Sequence, residues 1–270
     1  MNWQLSRAQA GSFEFVDESP STNTELLGRL PGGNVPDFSV LVTGSQTAGR
    51  GRLGRVWVAP PGKTLAISVL LRPVLPAGEP LELSHYGWLP LIAGVAMATA
   101  VETVIEPARV GLKWPNDVQV DGLKVSGLLA ELASTADAVV IGAGLNLTMN
   151  ADELPTATST SLALAGGFDA DSLDDGQADA VLSEYLRALR SLYTDFVRLG
   201  ADPDASGIRE LVSEKCTTLG QQVRVELPGG DNLYGTATGI DRSGRLEVRR
   251  STDGVTTAVA AGDVTHLRYE

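Results

Sequence analysis

The sequence predicts a mixed α+β domain with a small all-β domain behind it. Strand-like and helical segments alternate over residues 1–215. After Cys216 the pattern changes to the short strands QQVRVEL, NLYGTATGI, RLEVRR and TTAVAA, separated by the turn sequences LPGGDN, DRSG and STDG. Such a set closes into an SH3-like barrel, which we place at residues 217–270. A chain of 270 residues, 43% of them hydrophobic, can bury both cores.

Strands and one long helix fill the first part of the larger domain. Thr22 and Glu25 fit a capping box, which makes Thr22 the N-cap of a short helix. The apolar segment over about 85–106 predicts a buried core helix. Three runs have the pattern of strands: 13–17, 38–44 and 63–73.

A hairpin and a further strand are predicted next. Residues 109–133 look like two strands joined by a turn at Asp121–Gly122. Residues 137–149 form a hydrophobic strand that runs into glycines, and the polar stretch 150–175 is predicted to be a loop. Two helices follow, over 177–199, with its apolar residues on one face, and near 206–215.

Composition excludes several classes of protein. A net charge of -12 argues against a broad basic surface for nucleic acid. The single cysteine and the distant His85 and His266 exclude an internal disulfide and a His-rich metal site. The longest apolar run, 86–101, is shorter than the roughly 20 residues that cross a bilayer, and the N-terminus lacks the core of a signal peptide. We therefore expect a soluble cytoplasmic protein.

Residues 49–57, GRGRLGRVW, form an arginine loop that contrasts with the acidic background. The loop matches G-x-G-x-x-G, but Pro60–Pro61 forbid the helix that a dinucleotide site requires and no acid follows about 20 residues on. No Gly-Lys-Ser/Thr closes it as a P-loop. Glycines let a backbone approach a ligand, and arginines offer charged forks to phosphate or carboxylate. The loop suits a mobile cover for an anionic ligand; a solvated basic loop or a site for an acidic partner is the alternative.

Two more stretches carry polar groups of possible chemical use. KWPND, 113–117, precedes Lys124 by a hairpin turn, which would bring the lysine opposite Asp117; an ordinary salt bridge is the alternative. GAGLNL, 142–147, ends a hydrophobic strand. A tight turn explains its glycines as well as a ligand would, but leaves Asn146 unexplained.

Together these stretches resemble the biotin–protein ligase family. The shared elements, in order, are STN at 21–23, Gln46, GRGRLGRVW, KWPND, KVSGLLAE and GAGLNL. The resemblance covers nearly the whole chain, and the arginine loop with KWPND and the downstream lysine is a specific combination that lipoate ligases lack. It implies a class II aminoacyl-tRNA synthetase/biotin ligase-like catalytic domain over 1–215, followed by the C-terminal SH3-like β-barrel.

The resemblance also implies a two-step reaction. Biotin and ATP, with Mg2+, would give biotinyl-5′-AMP and pyrophosphate, and biotin would then pass to one lysine of the biotin carboxyl carrier domain of a biotin-dependent carboxylase. Because charge grows on phosphate oxygens, fixed cations can lower this barrier without a general base. The scarcity of histidine is consistent with that chemistry.

The family assigns roles to particular residues of this chain. Lys124 would contact the biotin carboxylate and the α-phosphate. Arg50 and Arg52 would close over the adenylate, and Asp117 would orient and deprotonate the incoming lysine amine. The biotin-binding set is Ser21, Thr22, Asn23, Gln46, Arg50, Gly51, Arg52, Trp57, Lys124 and Gly127. The ATP-binding set is Arg52, Arg55, Trp57, Asn116, Lys124, Asn146 and Arg268, in which the two asparagines are also candidates for Mg2+; no dedicated metal site is predicted.

The chain departs from some family members at two places. Leu53 stands where others carry a third consecutive basic residue. Only about 20 residues precede STN, which leaves no room for the DNA-binding domain of other members, so we expect no repressor function. The resemblance does not decide between a monomer and a homodimer.

Two other functions stay open on the sequence alone. A lipoate or octanoate ligase would need a long apolar tunnel in place of a polar pocket. A non-enzymatic sensor, or an adaptor that uses the barrel, would keep ligand or partner binding without catalysis.

Overall fold

A seven-stranded sheet forms the centre of the larger domain in the computed structural model, which describes residues 3–134, 136–169, 175–227, 231–260 and 263–267. The first nine strands are β1 (Ser12–Val16), β2 (Ser39–Thr43), β3 (Gly49–Arg50), β4 (Val56–Trp57), β5 (Thr64–Leu71), β6 (Val110–Lys113), β7 (Asp117–Val120), β8 (Leu123–Leu132) and β9 (Val139–Asn146). β3 and β4 pair with each other, and the rest form one sheet in the order β1-β2-β5-β9-β8-β7-β6. β1 and β2 are parallel, whereas the other neighbours are antiparallel.

Helices cover the two faces of this sheet unequally. The helices are α1 (Gln4–Gln9), α2 (Thr22–Gly28), α3 (Trp88–Val101), α4 (Asp175–Arg198) and α5 (Ile208–Lys215). α3 lies against β6 to β9, and α4 packs on α3 and α1. Among the helices of the described residues, the short α2 packs on the opposite face, where Leu26 meets Leu41, Leu70 and Val140. Because one short helix covers that face only in part, room is left beside it for a cleft.

α3 is apolar all round because it is buried between the sheet and α4. Gly94 allows the close approach: a Cβ there would overlap the side chain of Leu112 on β6. The helix is shorter than the predicted 85–106 and spans 14 residues. In the described part of the chain, no helix combines the length and apolarity needed to cross a membrane.

The C-terminal strands form the predicted SH3-like fold. They are β10 (Gln222–Glu226), β11 (Asn232–Ile240), β12 (Leu246–Arg250), β13 (Thr256–Val259) and β14 (Asp263–His266), in the antiparallel order β13-β12-β11-β10-β14. Two buried tryptophans of the larger domain hold this sheet in place. Trp88 Nε1 donates to the carbonyl oxygen of Arg242 at 2.9 Å, and Trp114 Nε1 donates to that of Gly244 at 3.1 Å.

Several local predictions were wrong. The N-cap of α2 is Ser21, whose Oγ accepts from the Thr24 amide, so Thr22 is already inside the helix. Residues 109–133 form three strands instead of two, because a second turn at residues 114–116 reverses the chain between β6 and β7, which pair antiparallel. Of the two explanations left open for the glycines of GAGLNL, the tight turn is excluded, because both glycines lie within β9. The sequence patterns also missed the short elements α1 and β14.

Candidate active site

A cleft opens beside α2, under the arginine loop. Its narrow end is lined by Ser21, Thr22, Asn23 and Gln46. Its wide end is several times larger and is lined by Asn116, Asp117, Lys124, Asn146 and Thr158, among others. The two ends form one cleft, because both are bounded by Arg50, Trp57, Gly127 and Leu129. The narrow end therefore has room only for a small group, and the wide end for a larger one.

Glycines form the floor of the cleft on β8 and β9. Gly127 and Gly144 face each other across the two strands. A Cβ on Gly144 would overlap the indole of Trp57, and one on Gly142 would overlap the amide of Asn23. The glycines are therefore needed because two side chains that line the cleft, those of Trp57 and Asn23, lie directly on the strands.

The start of α2 supplies the polar groups of the narrow end. The amide nitrogen of Thr22 donates to Gln46 Oε1 at 2.9 Å, and Thr22 Oγ1 donates to the same oxygen at 3.2 Å. Ser68, from the middle of β5, lies with its Oγ 2.8 Å from Thr22 Oγ1. The side chains of Thr22, Gln46 and Ser68 thus meet at one point, although they come from three separate parts of the chain.

Asn23 is held by β8 and β5, the strands on either side of β9. Its Nδ2 donates to the carbonyl oxygen of Leu129 at 3.2 Å and to Glu131 Oε2 at 2.8 Å. Its Oδ1 accepts from Ser68 Oγ at 2.6 Å. The sequence patterns missed Ser68 and Glu131. A serine in the centre of the apolar run TLAISVLL is the signal that could have found Ser68.

The arginine loop is an ordered hairpin in this structure. Leu53 adopts the left-handed conformation, with φ 55° and ψ 35°, which reverses the chain. The turn is closed by the Gly51 amide, which donates to the carbonyl oxygen of Arg55 at 2.7 Å. Gly49 pairs with Trp57 in the two-residue ladder, and this pairing brings the indole over the cleft floor.

The two arginines of GRGR reach opposite ends of the cleft. Arg50 Nη2 contacts both carboxylate oxygens of Glu131, at 2.8 and 2.7 Å. Arg52 Nη1 donates to Asn116 Oδ1 at 3.0 Å, and Asn116 Nδ2 in turn donates to the carbonyl oxygen of Leu128. The loop is thus attached at the narrow end by Arg50 and at the KWPND segment by Arg52.

Lys124 points into the cleft because of a β-bulge. It pairs with Gln119 while Ser126 pairs with Val118, so Val125 is an extra residue in β8. In a regular strand, two residues three positions apart point to opposite faces, so without the bulge Lys124 would point away from the face that carries Gly127. The bulge therefore puts Lys124 and the glycine floor on one face.

The ammonium of Lys124 lies at the centre of the wide end. Its Nζ is 2.7 Å from Asp117 Oδ1 and 5.8 Å from the centre of the Trp57 ring. Its backbone is fixed from the other side, since the Lys124 amide donates to the carbonyl oxygen of Thr158 and its carbonyl accepts from the Thr160 amide. The predicted salt bridge is present, and it lies in the cleft.

Three buried polar atoms in the cleft have no hydrogen-bond partner within the described residues. They are Trp57 Nε1, a donor, Asn146 Oδ1, an acceptor, and Asp117 Oδ1, which has its ion pair with Lys124 instead. Asn146 Nδ2 donates to the carbonyl oxygen of Thr160, which fixes its orientation. Buried polar atoms normally have partners, so Trp57 Nε1 and Asn146 Oδ1 indicate contacts that a ligand completes.

The predicted site also includes Gly51, Arg55 and Arg268. Gly51 and Arg55 line the wide end. Arg268 lies outside the described residues. Within the described part of the chain, no group of three or more His, Cys, Asp and Glu side chains could hold a metal ion. Burial raises the pKa of the Cys216 thiol, which makes it a poor nucleophile.

Comparisons with known proteins decide the family. Residues 15–146 match the Biotin/lipoate A/B protein ligase family, and residues 218–267 match the Biotin protein ligase C terminal domain. A biotin--[acetyl-CoA-carboxylase] ligase of Mycobacterium tuberculosis is 38% identical over 98% of this chain and 93% of its own length. The chain belongs to the biotin protein ligase family.

Other biotin protein ligases agree with this assignment. A biotin--[acetyl-CoA-carboxylase] ligase of Paracoccus denitrificans is 31% identical over 85% of this chain and 90% of its own length. The biotin protein ligase of Aquifex aeolicus in complex with biotin and ATP superposes with a TM-score of 0.73 at 26% identity, covering 96% of this chain and all of that one. The chain is thus a ligase enzyme, and its catalytic domain has the fold predicted for it.

Proposed function

We propose that this ligase joins biotin to AMP and then transfers biotin to one lysine of the biotin carboxyl carrier domain of a carboxylase. The observation that carries the proposal is the single cleft, in which a narrow polar end leads to an ammonium group beside a larger space. The Aquifex relative that binds biotin and ATP supports both substrates. We keep the division into a catalytic domain, 1–215, and a barrel, 217–270, as part of this proposal.

The narrow end suits the bicyclic ring of biotin. Ser21, Thr22, Asn23 and Gln46 offer both donors and acceptors, which the ureido group requires. The apolar tunnel that lipoate or octanoate would need is not found in the cleft of the described residues, because hydroxyl and amide groups close its inner end. A ligand with hydrogen-bonding groups of its own, such as biotin, therefore suits this end better than an acyl chain.

Lys124 is the catalytic cation in the first step. A carboxylate oxygen of biotin attacks the α-phosphorus of ATP, the bond to the β-phosphate oxygen breaks, and pyrophosphate leaves. Lys124, between the two ends of the cleft, neutralises the approaching carboxylate and the charge that grows on the α-phosphate oxygens. Arg52 and Arg55 border the same space and add positive charge toward the phosphates.

A magnesium ion with ATP fits the donor set of the wide end. Mg2+ is usually held by phosphate oxygens and few protein oxygens, so a cluster of carboxylates is unnecessary. The partnerless Oδ1 of Asn146 is the protein oxygen best suited to it. When bound, the ion would neutralise charge on the pyrophosphate group.

Asp117 serves the second step. The acceptor lysine amine attacks the acyl carbon of the adenylate, loses a proton to Asp117, and AMP leaves. Asp117 lies beside Lys124 and is partly exposed in the cleft, where an incoming amine can meet it. The role is that of an orienting carboxylate and proton acceptor.

Pyrophosphate release tests this function. The purified protein is incubated with ATP, Mg2+ and either biotin, lipoate or octanoate, with and without a carboxyl carrier domain. We expect release with biotin alone among the three acids, and biotin on one lysine of the carrier. Release with lipoate but not biotin, or an unlabelled carrier, would reject the proposal.

A further inference from the structure

Glu131 lies where the arginine loop meets the narrow end of the cleft. Its carboxylate contacts Arg50 in the loop at 2.7 Å and Asn23 on α2 at 2.8 Å. We propose that Glu131 is a positioning residue for biotin recognition, which fixes the donor pattern of the narrow end and holds the arginine loop over it. The inference rests on the proposed function, because it assigns biotin to that end.

Glu131 determines the orientation of the Asn23 amide. Nδ2 donates to two acceptors, the Leu129 carbonyl and the Glu131 carboxylate. A flipped amide would place Oδ1 against both acceptors and Nδ2 against the Ser68 hydroxyl. With the carboxylate in place, only one orientation is favourable, and Oδ1 takes the proton of Ser68.

The fixed amide sets the polarity of the next groups in the network. Ser68 carries one proton for two nearby acceptors, Asn23 Oδ1 at 2.6 Å and Thr22 Oγ1 at 2.8 Å, so the orientation of the Asn23 amide decides where that proton goes. Gln46 Oε1 is taken by the backbone amide of Thr22, so its Nε2 is left as a donor to the cleft. The Glu131 carboxylate, which does not itself line the narrow end, thus fixes the Asn23 amide and the proton of Ser68 beside the donor that Gln46 offers.

Glu131 also holds the loop at this end. Arg50 is on the two-residue strand β3, which pairs with β4 and has no place in the large sheet. Its side chain is 47% exposed, while that of Glu131 is 22% exposed and lies on the rigid strand β8. The ion pair therefore ties a loosely held loop to a fixed point. Loss of this ion pair would free the arginine loop over the biotin ring but leave the contact of Arg52 with Asn116 intact.

Biotin and ATP affinities measured separately test this role. Calorimetry gives the Kd of biotin, and initial rates of pyrophosphate release give KM for biotin and for ATP. We expect Glu131→Ala to weaken biotin about tenfold by both readouts, since a buried amide donor loses its charged partner. KM for ATP should stay within about twofold. Glu131→Gln, whose oxygen can still accept from Asn23 and Arg50, should restore most of the affinity.

A double-mutant cycle tests whether Arg50, in the arginine loop, acts through Glu131. If Arg50 acts through Glu131, then Arg50→Ala combined with Glu131→Ala should weaken biotin by clearly less than the product of the two single effects. The matched control is Asp137→Ala, which removes a 2.7 Å ion pair with Arg72 outside the cleft and should change neither constant.

The outcomes separate this inference from the proposed function. Wild-type affinity for biotin in Glu131→Ala, or an equal loss for biotin and ATP, would overturn the role of Glu131. If Glu131→Ala fails to fold, the Gln and Arg50→Ala variants decide by the same constants. A wild-type protein that binds biotin but releases no pyrophosphate would reject the proposed reaction, while biotin calorimetry on the variants would still decide about Glu131.

Discussion

Lys124 reaches the reaction space through the insertion of one residue in its strand. Val125 breaks the regular alternation of β8, so that the ammonium meets Asp117 and the Trp57 ring. Bulges next to active sites commonly redirect a side chain in this way. The position of this charge therefore depends on the backbone as much as on the residue type.

Lys124→Ala should abolish adenylate formation. Removal of a preorganised cation from the developing charge costs about 100-fold or more in rate. Biotin-dependent pyrophosphate release is the measurement. A near wild-type rate for the alanine variant would show that another group carries the charge.

Gly142→Ala should weaken biotin binding. The new Cβ would overlap the locked amide of Asn23, and overpacking of this kind costs about 1–3 kcal/mol, or roughly five- to 150-fold in affinity. Calorimetry with biotin measures the loss. Gly28→Ala on α2 is the control, because a Cβ there meets no atom within 4 Å, and its affinity should stay unchanged.

Residues in unusual sequence contexts could be predicted, and those in ordinary contexts could not. Arg52 and Lys124 stand out against an acidic chain with its own loop and turn signals. Ser68 stands out as a serine in an apolar run, but its contacts with α2 do not follow from that run, and Glu131 occupies a strand position whose neighbours also fit a half-buried strand. Their importance depends on which strands become neighbours, and that information is in the tertiary fold.

At the scale of elements, the arginine loop is a hairpin stretched between two attachments. Arg50 holds one end to Glu131, and Arg52 holds the other to Asn116. A loop attached by a few polar side chains can open without breaking the core. This arrangement suits a cover that must retain a reactive intermediate and then release it.

Arg52→Gly should let the adenylate escape. Loss of a hydrogen bond from a charged group costs about 1.5–3 kcal/mol, so the intermediate should dissociate about ten- to 100-fold faster. Biotin on a bystander protein without an acceptor sequence reports the escape. Leu53→Gly, which adds the same flexibility at a left-handed residue, is the control. Labelling confined to the acceptor lysine in Arg52→Gly would contradict the covering role.

The stability of the folded protein should depend on pH through Glu25 on α2. Its pKa is lowered by the hydrogen bond from Ser19 and then by Arg29. A lowered folded-state pKa gives stability that is present above the ordinary carboxyl range and is lost as the pH falls through the folded value. Ser19→Ala should therefore reduce the free energy of unfolding at neutral pH, and the deficit should shrink in acid. Urea unfolding measures it; Ser12→Ala, whose partner Ser39 does not titrate, should show a deficit independent of pH.

Strong periodic segments were predictable, whereas short ones were not. The apolar runs of β2, β5 and β9 and the amphipathic α4 occur close to their predicted positions. α1 and β14 are too short for a periodic signal, and they form because Asp179 binds the α1 amides and β10 pairs with β14. The predicted capping box does not form because Gln46, and not Glu25, accepts the hydrogen bond from the Thr22 amide.

At the scale of the whole molecule, the barrel is part of the cleft. Val264 and Thr265 of β14 line the wide end, and Trp88 and Trp114 fasten the barrel to the larger domain. Trp114 directly precedes Pro115 and Asn116 of KWPND. Docking of the barrel and the position of this motif are therefore linked.

Trp114→Phe should destabilise the folded protein. The carbonyl oxygen of Gly244 would lose its buried donor, at a cost of about 1–3 kcal/mol beyond the loss of volume. Trp3→Phe is the control, since Trp3 is equally buried but its Nε1 has no partner in the described residues. Urea unfolding gives both free energies, and equal losses would contradict a specific role for the Trp114 hydrogen bond.

A crystal structure with biotinyl-5′-AMP tests the central claim most directly, because it shows where each part of the intermediate lies. The ring should contact Ser21, Asn23 and Gln46, the α-phosphate should lie against Lys124, and the arginine loop should close over both. A ring bound outside the narrow end, or a phosphate group out of reach of Lys124, would contradict this account of the cleft.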